Sequence, residues 1–408
     1  PSIVWERGAG KPVHNAIVWQ CRRTAEICND LKSRGLAELF KSKTGLVIDA
    51  YFSGTKVCWI LNNNPGSREK AGRGELLFGT VDSYLLYRLT GGRVHATDLS
   101  NASRTMIFNI HNLKWDEELC RILDIPAAML PRASDSASVF GRTEGLGFLP
   151  DGIPISGIAG DQQAALFGQG CFSKGDSKCT GGTGAFLLVN TGEKAFKSDR
   201  GLLTTIAWGI NGKTSYALEG SAFIAGAAVQ WVRDSLKLIG KASEIEELAK
   251  TVENSGGVVF IPALAGLGAP YWRPEARGAM FGLSRATNAG HIARAVLEGI
   301  AMNVADLFFT MESDSIKINS LMVDGGACQN NLLMQFQSDI LRVPIVRPKN
   351  IDTTAFGAAY LAGIGAGIFK DFGEISNIRK IDKEFTPEMR AEKAQELVKD
   401  YRKKAEIV

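Results

Sequence analysis

From about residue 153 to residue 364, short apolar runs of strand length end in glycine turns and give way to segments whose apolar residues recur at helical spacing. A chain that alternates in this way buries its strands by laying helices back over a shared sheet, which selects an α/β layer fold. Residues 153–158 read as a strand that ends in Gly160-Asp161 and opens a helix over 162–167. Residues 177–189 read as two strands around Gly181-Gly182-Thr183-Gly184, and residues 202–218 as a second pair turned at Asn211-Gly212. Helices over 223–238, 289–311, 331–341 and 354–364 then alternate with strands over 258–262 and 320–324. The earlier part reads differently. The spacing predicts a strand within residues 11–20 that ends near Trp19, a helix over 24–40 broken at Gly35, a helix over 75–89, and turns between Pro126 and Gly152. The first 150 residues are thus expected to be largely helical. A boundary near residue 169 gives two units, 1–169 and 170–408. Residues 385–408 read as a charged amphipathic helix on the solvated surface.

Composition narrows the class. Forty-seven Lys and Arg against 43 Asp and Glu leave a net charge of +4, spread along the chain without the basic stripe that a nucleic-acid groove needs. Hydrophobic residues make up 45% and charged residues 22%, a balance that argues against disorder. The longest apolar stretch, residues 355–369, is shorter than the roughly 20 residues of a membrane span and reads as a buried helix. Seven dispersed cysteines form no C-x-x-C pair, which suggests reduced thiols in a cytoplasmic protein. Four histidines lie far apart, so no protein-ligated metal site is expected.

Three strand ends could carry chemistry. Asp161 follows Gly157 and Gly160 at a strand-to-helix turn, where α/β sheets bind ligands. Its carboxylate could accept a hydroxyl proton or coordinate a metal, or it could cap the helix, and spacing alone favours the cap. Gly181-Gly182-Thr183-Gly184 could turn backbone N–H groups toward a phosphate or be an ordinary hairpin. Val323-Asp324-Gly325-Gly326 is a similar strand end before a helix N-terminus. Neither G-x-G-x-x-G nor a P-loop lysine pattern occurs. Trp19, Tyr51 and Phe186, read singly, are core aromatics.

Several longer stretches are more specific. Tyr-Phe-Ser-Gly-Thr-Lys-Val-Cys-Trp at 51–59 and Gly-Ala-Met-Phe-Gly-Leu at 278–283, followed by His-Ile-Ala-Arg-Ala-Val-Leu-Glu at 291–298, resemble the two signatures of the FGGY carbohydrate kinases. Asn-Ala-Ile-Val-Trp-Gln-Cys-Arg-Arg at 15–23, Gly-Ile-Ala-Gly-Asp-Gln-Gln at 157–163, Gly-Leu-Gly-Ala-Pro-Tyr-Trp at 266–272 and Val-Asp-Gly-Gly-Ala at 323–327 resemble those members that phosphorylate glycerol. The resemblance covers nearly the whole chain. It implies a two-domain actin/hexokinase-like fold, with glycerol bound on the side of residues 1–169 and nucleotide on the side of residues 170–408. It also implies ATP and Mg²⁺, and a homodimer or homotetramer. Carried over by position, Asp161 is the general base and Gln162 bonds glycerol hydroxyls, while Trp19, Tyr51 and Phe186 wall the carbon chain. Thr183, Gly226, Gln230, Gly326 and Asn330 hold the nucleotide. Such kinases begin with an Asp-x-Gly-Thr phosphate hairpin and carry an Arg-Glu pair ahead of the stretch matched by residues 1–5. Neither is in this sequence, so the chain is expected to be part of a longer protein with an incomplete N-terminal domain. Two alternatives remain: a kinase for another small polyol or sugar, with Trp19 and Phe186 as the discriminator because a larger sugar should not fit between them, and a catalytically silent fragment.

Overall fold

Two apolar runs near the start of the chain pair with each other. The computed structural model describes residues 1–273, 275–314 and 316–408. Strand β1 (Ser2–Glu6) lies antiparallel to β2 (Leu76–Thr80), with Val4 opposite Phe78 and Trp5 opposite Leu77. Both strands are almost wholly buried. This corrects two expectations. The helix expected over 75–89 is β2 followed by a helix over Val81–Leu89, because Leu76-Leu77-Phe78 fits either period and its pairing with β1 decides. Residues 11–20 form no strand. They run beside β1 through two isolated bridges, Ser2 with Ile17 and Trp5 with Pro12, where proline offers no N–H to extend a ladder. The expected helical segment over 24–40 is two helices, Ala25–Ser33 and Ala37–Thr44. They pack with α1 (Ser53–Asn63) around Leu31, Phe40, Val57 and Ile60.

A nine-stranded mixed sheet forms the rest of the frame. Its strands are β3 (Ala137–Arg142), β4 (Pro154–Gly157), β5 (Ser177–Gly181), β6 (Ala185–Gly192), β7 (Leu203–Ile210), β8 (Lys213–Ala222), β9 (Leu321–Asp324), β10 (Ile345–Pro348) and β11 (Ile381–Phe385). Their order is β11-β10-β9-β5-β6-β8-β7-β3-β4. β3 lies inside the segment expected to be turns, and β11 was not expected at all. The hairpin β7–β8 turns at Asn211-Gly212, both at positive φ, as the sequence indicates.

Helices cover both faces of this sheet. On one face, Leu188, Trp208 and Ala217 pack under α2 (Asp161–Gly168) and α6 (Thr353–Gly365). On the other, Leu187, Val189 and Leu218 join the core beneath α4 (Ala289–Ser313), with α3 (Gly226–Asp234) and α5 (Asn331–Leu341) alongside. The helix α7 (Ala391–Ala405) is not simply solvated: it buries Ala394, Tyr401 and Ala405, and Arg402 pairs at 2.7 Å with the buried Asp306 of α4. The apolar stretch 355–369 is only partly buried, since Phe356 and Ile368 face solvent.

Helices α2 and α6 cross with their backbones in contact. A Cβ on Gly357 would overlap the carbonyl oxygen of Ala164, and one on Gly168 would overlap that of Thr353. Gly157, at the end of β4, meets the backbone of Ala362 in the same way. No side chain larger than hydrogen fits at these points. Gly357→Ala is therefore expected to lower stability by about 1–3 kcal/mol through overpacking. Gly72→Ala, with nothing within 4 Å of the new Cβ, should stay within about 0.5 kcal/mol of the parent in denaturant titrations. Equal effects would contradict a backbone-tight crossing.

Candidate active site

The tight crossing holds the first turn of α2 in place. Its N-cap is Gly160, and Asp161 is the first helical residue, so the carboxylate is not the cap that spacing favoured. It is solvent-exposed and accepts a hydrogen bond from the Gln162 N–H at 2.9 Å. The next side chain, Gln162, accepts through Oε1 from Lys178 Nζ on β5. Lys178 also donates to Thr180 Oγ1 at 2.8 Å. Lys178 is 0% exposed, and burial pushes its ammonium pKa down, against the opposing pull of the Asp324, Cys179, Asp161 and Glu219 charges.

The three aromatics that read as separate core residues meet. Trp19 lies edge-on to Tyr51 with ring centroids 5.3 Å apart, and to Phe186 at 6.1 Å. Each is partly exposed, so they line an open wall. Local chemistry fixes them. Asp49 accepts from the Tyr51 N–H at 2.8 Å and takes a two-point bond from Arg22 at 2.6 and 3.0 Å, which ties the Tyr51 turn to the loop bearing Trp19. Phe186 is brought in by the sheet, where β6 sets it opposite Thr180 of β5.

Behind Tyr51 is an ion pair that sequence reasoning missed. Arg104 donates to Glu219 at 2.7 Å, with Glu219 0% exposed on β8. The guanidinium stacks 5.9 Å from the Tyr51 ring and 5.4 Å from Phe52. Burial and the Glu219 charge push the Tyr51 phenol well above its ordinary pKa, so it stays neutral. The signal in the sequence was a lone Glu inside the apolar run Ala217-Leu218-Glu219-Gly220. Lys178, between Ser177 and Cys179, was a similar signal.

At the Gly181 end of β5 lies a cavity of about 620 Å³. Thr183, Gly226, Gln230, Gly326 and Asn330, named from dispersed stretches, all line it. A Cβ on Gly182 or Gly326 would meet nothing within 4 Å, so these two glycines open onto space that a ligand can fill. Gly325, with φ 77° and a Cβ position blocked by the Gly181 carbonyl, makes the turn into that wall. Asn330 spends its Oδ1 capping α5 by accepting from the Leu333 N–H. Among the described residues no group of three or more His, Cys, Asp or Glu side chains is arranged to hold a metal ion.

Residues 2–168 match the N-terminal domain, and residues 177–366 the C-terminal domain, of the FGGY family of carbohydrate kinases. Similar curated proteins include the glycerol kinase of Carboxydothermus hydrogenoformans, 59% identical over 403 residues, 98% of this chain and 81% of that one. Another is glycerol kinase 2 of Thermotoga maritima, 61% identical over 397 residues, 97% and 80% of the two chains. Among solved structures, that of Plasmodium falciparum glycerol kinase with ADP superposes with a TM-score of 0.93 at 39% identity, covering 99% of this chain and 81% of that one. A ligand-bound xylulose kinase from Lactobacillus acidophilus gives 0.87 at 25% identity, covering 98% and 81%.

Breaking the Arg104–Glu219 pair from one side strands a buried charge. Arg104→Met is expected to cost about 3–5 kcal/mol, and adding Glu219→Gln to it should recover a large part. Denaturant midpoints of the two variants measure this; a double variant no better than the single would contradict it.

Proposed function

The chain belongs to the FGGY family of carbohydrate kinases and, within it, to the glycerol kinases, and from that membership we propose how its own residues carry ATP-dependent phosphorylation of glycerol. Trp19, Tyr51 and Phe186 pack on the C–H face of glycerol. Gln162 and Asp161 meet its hydroxyls. Asp161 takes the proton of a primary hydroxyl as that oxygen attacks the γ-phosphorus in line, and ADP leaves on the opposite side. Residues up to 169 supply most of the acceptor side, and residues from 170 onward supply the nucleotide side.

The observation that carries this reading is the role of β5 as a link. Its Lys178 is bonded to Gln162, beside Asp161, and its end at Gly181 opens the nucleotide cavity. Phosphoryl transfer depends mainly on positioning and charge neutralisation, and one strand spanning both sides supplies the positioning. The cavity suits a nucleoside triphosphate: Gly182 and Gly326 leave room for close approach of phosphates to backbone, and Thr183 adds a hydroxyl donor. With no cluster of carboxylates or imidazoles among the described residues to hold it, Mg²⁺ would be held chiefly by phosphate oxygens and water, with Asp161 the carboxylate available to it, and would supply charge neutralisation on the transferred group. No helix among the described residues is long and apolar enough to cross a membrane. The seven free cysteines suit a reducing cytoplasm.

A substrate panel with ATP tests the reading: glycerol should stand out from xylulose, ribulose, gluconate and erythritol. Asp161→Asn should keep nucleotide binding, measured by calorimetry, and lose about 10²–10⁴-fold in turnover. Near-parental turnover in that variant would remove Asp161 from the role of base.

A further inference from the structure

Gln162 ends in an amide with an acceptor oxygen on one side and a donor nitrogen on the other, and a polyol hydroxyl can use either. One buried neighbour decides between them. Lys178 Nζ donates to Gln162 Oε1, and while the nearby Asp324, Asp161 and Glu219 charges keep it protonated against the pull of burial, it has no acceptor to offer the amide nitrogen. A flipped amide would set –NH₂ against –NH₃⁺ with nothing to accept. Gln162 Nε2 makes no hydrogen bond among the described residues and is left for a ligand.

We infer that Lys178 is a positioning residue that locks Gln162 as a hydrogen-bond donor toward the acceptor alcohol, leaving the Asp161 carboxylate as the group that receives the hydroxyl proton. The inference rests on the reading of Trp19, Tyr51 and Phe186 as the acceptor wall. It divides the labour on the hydroxyl. Gln162 supplies N–H to the oxygen's lone pair, and its own oxygen, already accepting from Lys178, is a weaker competitor than the Asp161 carboxylate for the O–H. The lock is well anchored: Lys178 is 0% exposed, its second bond goes to Thr180, and Thr180 faces Phe186 across the β5–β6 ladder. One ammonium thus joins the amide that meets the hydroxyl to β5, whose Thr180 lies opposite Phe186 of the aromatic wall. A buried cation bonded to an amide oxygen and a hydroxyl rather than to a carboxylate costs free energy to keep there.

The test separates donor from acceptor. Gln162→Glu keeps a partner for Lys178, now charge-assisted, but replaces the free –NH₂ with a second acceptor oxygen. KM for glycerol is expected to rise about tenfold or more, with KM for ATP within twofold and the thermal midpoint unchanged or higher. Lys178→Met should raise KM for glycerol similarly and leave KM for ATP within twofold, while Lys178→Arg restores most of the loss. In a Gln162→Ala background, removing Lys178 should add nothing further to KM for glycerol. Parental KM for glycerol in Gln162→Glu, or additive effects of the Lys178 and Gln162 changes, would overturn the lock. If Lys178→Met fails to fold, the Gln162→Glu result decides alone. Failure of the parent protein to turn over glycerol would instead refute the substrate reading, a different outcome from either.

Discussion

The backbone contact between α2 and α6 fixes the helix turn on which the rest of the site is built. With Gly357 and Gly168 at the crossing, the two helices approach more closely than side chains allow, and the first turn of α2 has one position relative to the sheet. Asp161 and Gln162 occupy that turn. The C-terminal end of α2 is tied in as well. Gln169 donates to the Val323 carbonyl at 3.0 Å and to Asp324 at 3.3 Å, and Asp324 also accepts from Thr353 at the start of α6. Asp324 leads directly through Gly325 to Gly326, which lines the cavity. The same small region therefore orients the Asp161 carboxylate, the helix crossing and the glycine turn into the cavity wall.

Buried charge is the second organising element. Lys178, Glu219 and Asp324 are each at most 2% exposed. Lys178 and Glu219 lie on either side of Leu188 in adjacent strands, so they share the sheet face under α2. Taking such groups out of water costs free energy that their pairings offset only in part. Their placement suits an electrostatic frame fixed before substrate arrives, which needs no reorganisation during transfer. Arg104 extends the frame to the acceptor side, reaching from beneath Tyr51 and Phe52 to Glu219 on β8.

Much of the second half of the chain was legible because glycine turns punctuate it: the strands at Ser177–Gly181 and Leu203–Ile210 and the helices at Ala289–Ser313 and Asn331–Leu341 all lie where the pattern put them. The first half was not. Leu76-Leu77-Phe78 and Ile3-Val4-Trp5 are continuous apolar runs, and periodicity carries no information once both faces are buried. β11, with four exposed residues in Ile381–Phe385, had no apolar pattern to betray it. The site divides in the same way. Glycine-rich strand ends marked part of the cavity lining, whereas the meeting of Trp19, Tyr51 and Phe186 depends on tertiary contacts between segments more than 30 residues apart. Their shared role came from the resemblance to the kinase family. Arg104, Lys178 and Glu219 were invisible as a set because each gains meaning only from its partner across the fold.

The central claim is that a single carboxylate, that of Asp161, meets the acceptor alcohol where the aromatic wall and the nucleotide cavity come together. Its most direct test is a crystal structure with glycerol and a non-hydrolysable ATP analogue. The account predicts a primary hydroxyl of glycerol about 2.5–3.0 Å from an Asp161 oxygen, the carbon chain against Trp19 and Phe186, and the γ-phosphate beyond Gly182 and Thr183 facing that hydroxyl. Glycerol bound elsewhere, or seated among the aromatics with its hydroxyls turned away from Asp161, would contradict it.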